Sequence, residues 1–157
     1  MTTRKTEDAD LAAPTQAEAD RLLALPKRYE GQDPVNFPGI GDGELSLALA
    51  SSERGCSFQL RCGHDRIHFD AYKAHLSSRK TIGLMRLEVA SPRPHANPDG
   101  EILHGSHLHY YREGFNLRWA RPLPPELAEV EDKPDQLLDR FMDLCHITRK
   151  PVFQFGL

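Results

Sequence analysis

The hydrophobic pattern of the chain changes period twice, from helical to alternating and back. Thr15-Gln16-Ala17-Glu18 has the form of a capping box, with Thr15 at the N-cap and Glu18 reaching back. Leu22, Leu23 and Leu25 follow, and Pro26 closes a short helix. Residues 30–43 are rich in Gly, Pro and Asp and predict a loop anchored by Phe37 and Ile40. The period then becomes two. Leu45, Leu47 and Leu49 alternate with Glu44, Ser46 and Ala48, and Phe58, Leu60 and Cys62 with Ser57, Gln59 and Arg61. After a turn at Gly63-His64-Asp65, Ile67 and Phe69 alternate with Arg66, His68 and Asp70. These read as three short antiparallel strands with one wet face.

Residues 71–79 are polar and ambiguous. Thr81 to Val89 is apolar on both faces apart from Arg86 and Glu88, the pattern of a central strand. Residues 90–106 read as a long loop. His107–Tyr111 and Phe115–Ala120 form a hairpin around Arg112-Glu113-Gly114, with Phe115, Leu117 and Trp119 turned to the core. Pro122, Pro124 and Pro125 end the sheet. Leu137, Leu138, Phe141, Met142, Leu144 and Cys145 then recur at helical spacing behind Pro134. The expected architecture is α+β: an antiparallel sheet of five to six strands covered by N- and C-terminal helices. It forms one domain over residues 14–157, behind a flexible tail at 1–13.

Composition adds limits. A chain of 157 residues is long enough for one real core. Twelve prolines and 11 glycines suggest abundant loops. No apolar run reaches membrane-span length, and the charged N-terminus does not resemble a signal peptide. Cys56, Cys62 and Cys145 make an odd count, and the first two share a strand. Reduced thiols in a cytoplasmic protein, with no membrane partner, are expected.

Charge is unevenly placed. Residues 1–53 carry 5 basic and 10 acidic groups, residues 54–121 carry 11 and 6, and residues 122–157 carry 4 and 7. The basic middle also holds seven of the eight histidines. That balance suits RNA, DNA or another phosphate-bearing partner.

Four histidines fall between residues 95 and 109, in Pro94-His95-Ala96-Asn97-Pro98-Asp99-Gly100 and His104-Gly105-Ser106-His107-Leu108-His109. Alternation places His107, His109 and Tyr111 on one strand face, opposite Leu108 and Tyr110. The Asn97–Gly100 turn is expected to set His95 against that strand. Three readings compete. In the first, His95, His107 and His109 perform metal-free acid–base chemistry on a phosphodiester, with no cofactor. Arg86 or Arg112 clamps phosphate and Glu113 orients an imidazole. Tyr111, Arg79 and Lys80 would contact substrate. In the second, His-x-His with His95, His104 or Asp99 binds a metal for hydrolysis. In the third, the histidines only stitch the loop to the sheet, or present a surface to a protein partner.

The motifs Ala19-Asp20-Arg21-Leu22-Leu23, Leu84-Met85-Arg86-Leu87, Pro94-His95-x-Asn97-Pro98-Asp99-Gly100, His107-Leu108-His109-x-Tyr111-Arg112-Glu113-Gly114 and Trp119-Ala120 resemble a domain-of-unknown-function family of bacteria, phages and mobile elements. The resemblance runs over residues 14–157 and implies no reaction. Over about thirty residues, the order of an Arg strand, a Pro-His turn and an x-His-x-His strand is similar to small toxins of toxin–antitoxin pairs. That likeness implies a ribonuclease, an antitoxin or phage-defence partner, and RNA as substrate.

Overall fold

The computed structural model describes residues 13–156. The tail expected at 1–13 lies outside them, save for Ala13. Helix α1 (Gln16–Ala24) leads into short strands β1 (Lys27–Tyr29) and β2 (Val35–Asn36). Six longer strands follow: β3 (Glu44–Ser51), β4 (Phe58–His64), β5 (Tyr72–Ser78), β6 (Ile82–Ala96), β7 (Ile102–Arg112) and β8 (Asn116–Pro122). Helices α2 (Pro125–Ala128) and α3 (Pro134–Leu144) and strands β9 (Ile147–Arg149) and β10 (Phe153–Gln154) complete the chain.

Eight strands join in one sheet in the order β8-β7-β6-β5-β4-β3-β1-β9. Every pairing within it is antiparallel except β1 with β9, and β2 pairs separately, in parallel, with β10. The α+β expectation is therefore met with more strands than the five to six anticipated. β9 and β1 escape the pattern because three residues are too few to show a period.

One face of the sheet is the core. Across it Leu60, Leu76, Leu87 and Leu108 are each fully buried, under Ala19 and Leu22 of α1 and Leu137, Leu138, Phe141 and Met142 of α3. Burying an aliphatic side chain of this size contributes roughly 1.5–3 kcal/mol. Lys27 is fully buried beneath α1 and α3. Its ammonium donates to the carbonyls of Leu23, Leu25 and Cys145 at 2.8, 2.8 and 2.9 Å, so it closes the ends of two helices. All three cysteines are free, and burial pushes the Cys62 thiol up to about 12.

Several local expectations change. Thr15 does cap α1, its hydroxyl accepting from Glu18 N at 3.1 Å, but the Glu18 carboxylate pairs with Arg21 instead of reaching back. Residues 65–71 are a loop. The Asp65 carboxylate accepts from the backbone N–H groups of Ile67 and His68, both at 2.9 Å, a local bond that replaces a strand ladder. Ile67 and Phe69 therefore stand 82% and 79% exposed. The strand in this region is β5, from the ambiguous stretch, where Ala74 and Leu76 bury one face.

The loop expected at 90–106 is mostly ladder. Ser91 pairs with Gly105, His95 with Leu103 and Ala96 with Ile102. Register shifts flank Ser91, and Ala90 takes a positive φ of 49° with its N–H given to the Ser106 hydroxyl at 2.9 Å. Bulges of this kind bend a strand. Trp119 and Phe115 meet each other edge-on at 5.9 Å and lie outside the core cluster, which Leu117 alone of the three packs against. No helix among the described residues is long and apolar enough to cross a membrane.

Candidate functional site

The bend in the β6–β7 arm carries Asn97 to the free edge of β8. There the Asn97 carbonyl accepts from Ala120 N at 2.8 Å, and its amide donates to Ala120 O at 2.9 Å. Ala120 faces His109 across the ladder. Its outward backbone groups would otherwise be open, and one carboxamide satisfies both. Asn97 is 5% exposed. The turn behind it closes through Gly100 N donating to Asn97 O, and Gly100 takes a φ of +94° that favours glycine.

This clasp brings His95 over the His107–His109 strand. Ring centroids lie 4.5 Å apart for His95–His109, 4.8 Å for His107–His109 and 5.5 Å for His95–His107. One ring nitrogen from each histidine lies within 4.8 Å of the others. His107 and His109 are 2% and 1% exposed.

The hydrogen bonds define the tautomers. His107 Nδ1 meets Gly105 O at 3.0 Å, and His109 Nδ1 meets Leu117 O at 2.7 Å. A carbonyl only accepts, so each Nδ1 carries the proton and each Nε2 keeps its lone pair. His95 Nε2 meets Arg118 O at 2.9 Å and Asn97 Oδ1 at 3.1 Å, so His95 keeps its lone pair on Nδ1. The carbonyls of Leu117 and Arg118 are positioned by a bulge in β8, where these two residues stand opposite Tyr111 alone.

Burial, and secondarily Arg86, hold the proton affinity of His109 down at about 3 despite the bond to Leu117 O. Burial also lowers His107. Near neutral pH these are neutral rings with lone pairs to offer. Arg86 Nη2 lies 3.3 Å from His109 Nε2, and Arg86 Nε lies 3.1 Å from the Glu88 carboxylate. A groove of about 870 Å³ opens beside Glu88, lined also by Lys73, His64, Asp65 and Arg93.

The other sequence candidates lie elsewhere. Tyr111 is buried in the apolar core and donates to Pro14 O at 2.5 Å. Glu113 and Gln16 exchange two hydrogen bonds at 2.7 and 2.9 Å that hold the start of α1, so carbonyls and not Glu113 orient the imidazoles. Arg112 stacks 4.7 Å over Trp119. Arg79 and Lys80 form the β5–β6 turn with positive φ values of 53° and 64°. Lys80 is six residues from Arg86 along an extended strand, roughly 20 Å. His104 is exposed and stands outside the cluster, and Asp99 caps its own turn through Glu101 N at 3.0 Å. Arg61 and His75, which no motif flagged, do join the site. His75 faces Arg86 across β5–β6 and Arg61 across β4–β5.

The class these features define is an α+β protein with three converging imidazoles on the sheet face opposite its core. The chain belongs to a family of unknown function, DUF6978, whose model matches residues 15–147. No curated protein and no solved structure matches it.

Proposed function

We propose that His95, His107 and His109 are the protein ligands of a divalent ion of the zinc type, and that the protein is a metal-dependent hydrolase. The observation that carries this is the tautomer pattern. Each ring gives one N–H to a backbone carbonyl and keeps a lone pair on its other nitrogen, the outer-shell arrangement that metal-bound histidines adopt. Three nitrogens within 4.8 Å suit one tetrahedral ion, whose ligand nitrogens sit roughly 3.4 Å apart for bonds of about 2.1 Å. Three protein ligands leave a position open for water. An ion there acts as a Lewis acid and brings hydroxide within reach near neutral pH.

Loading requires the Arg86 guanidinium to leave His109 Nε2. Glu88 already holds its Nε side, so a small swing keeps the charge paired. Metal-free acid–base cleavage of RNA, the alternative reading, needs an imidazolium as general acid. Burial works against that form at His107 and His109.

The test uses EDTA-treated full-length protein titrated with zinc, with metal content by mass spectrometry. One tightly bound ion per chain, lost in His107→Ala and His109→Ala variants that keep their circular dichroism, is the expected result. RNA is then supplied with and without EDTA. RNA cleavage that survives EDTA, or zinc uptake that ignores both substitutions, overturns the metal reading.

A further inference from the structure

One register row crosses four strands on the histidine face. Arg61 on β4 faces His75 on β5, His75 faces Arg86 on β6, and Arg86 faces His109 on β7. Cross-strand partners share a face. At about 4.8 Å per strand, Arg61 stands roughly 14 Å from His109 and 10 Å from Arg86.

The row is short of negative charge. Among the described residues no carboxylate lies within 4.0 Å of Arg61. Glu44, on the neighbouring strand, is committed to Lys73 at 3.1 Å, and Glu88 to Arg86. Arg61 Nη2 spends one donor on His75 Nδ1 at 3.2 Å. That bond orients the guanidinium without neutralising it. The Nε atom of Arg61 is buried with no hydrogen-bond acceptor, whereas that of Arg86 rests 3.1 Å from the Glu88 carboxylate. A partly buried guanidinium without an acceptor is costly, and its planar fork matches a phosphate oxygen pair.

We propose that Arg61 and Arg86 form an anion subsite beside the three histidines, and that it takes a phosphate group of the substrate, a phosphate ester or phosphodiester. His75 is a positioning residue that presents Arg61. The inference supplies the substrate class for the metal reading and rests on that reading for its catalytic meaning. Its binding half stands alone, because the row needs no ion. Arg86 serves both parts: when it leaves His109 Nε2, its Nη2 is free for the substrate oxygen while Glu88 keeps the Nε side.

The experiment is calorimetric titration of EDTA-treated full-length protein with inorganic phosphate and pyrophosphate, with chloride as control. Arg61→Met and Arg86→Met should each weaken binding at least tenfold, and Arg61→Lys, which keeps charge but loses the fork, by a smaller factor. His75→Leu should also weaken phosphate, while His75→Gln, which retains an acceptor for Arg61, should not. Arg61→Met should leave zinc stoichiometry unchanged, a readout that general unfolding would move. Absence of phosphate binding at millimolar concentration, or equal binding by wild type and both Met variants, overturns the subsite whatever zinc does. Phosphate binding through Arg61 and Arg86 without any zinc uptake upholds the subsite and removes the metal reading.

Discussion

Acidification should destabilise the metal-free protein in a pH window governed chiefly by two histidines. Burial, aided by Arg86, lowers His109 to about 3, and burial, aided by Arg61 and Arg86, lowers His75 to about 4. The unfolded rings take up protons near 6.5. Between these values the unfolded chain binds more protons than the folded one, so stability rises with pH and falls as pH drops from about 6.5. Going from about pH 7 to about pH 5 costs roughly 2 kcal/mol at fully buried His109 and somewhat less at partly exposed His75. The sum, about 3–4 kcal/mol, is a large part of the 5–15 kcal/mol typical of a domain. The hydrogen-bonded carboxylates, such as Glu44 and Asp65, are shifted downward by their partners, away from the interval between about pH 5 and about pH 7. Denaturant unfolding of EDTA-treated protein by far-ultraviolet circular dichroism at the two pH values measures the difference. His109→Gln should remove about half of the slope. A difference below about 1 kcal/mol, or a His109→Gln slope equal to wild type, refutes the argument, because either means the rings are not buried as neutral species.

Two further outcomes follow from the clasp and the buried lysine. Asn97→Leu leaves the outward N–H and C=O of Ala120 unpaired and should cost about 2–4 kcal/mol in denaturant unfolding, while weakening zinc binding because His95 loses its seat. Lys27→Met should destabilise by a similar amount, about 2–4 kcal/mol by the same unfolding measurement, because the buried carbonyl of Cys145 and the half-buried carbonyls of Leu23 and Leu25 lose their donor; an unchanged midpoint would show that water replaces the ammonium.

Much of the secondary structure was legible because it is written in local periodicity. The capped helix at Thr15, the strands around Leu47, Leu60 and Leu87 and the Pro134 helix all bury one face at a regular spacing, and the Gly114 hairpin turn takes the positive φ (+84°) that favours glycine. The failures share one cause. The β6–β7 arm is rich in Pro, Gly and Asn, which read as loop, yet it is held as ladder by bulges and by a contact with β8 more than twenty residues away. Ile67 and Phe69 alternate like a strand, but the Asp65 carboxylate captured their backbone first.

The chain alone, through its His-x-His alternation and the Asn-Pro-Asp-Gly turn, indicated that His107 and His109 share a face and that the turn behind His95 sets it against their strand. It could not determine which proton sits on which nitrogen, since the carbonyls of Gly105, Leu117 and Arg118 that decide this become available only through bulges in the assembled ladder. Nor could it separate Glu113 and Tyr111, which hold α1, from Arg61 and His75, which line the histidine row. Side-chain spacing is a property of one strand, whereas a site is made across strands, and only register brings Arg61, His75, Arg86 and His109 into line.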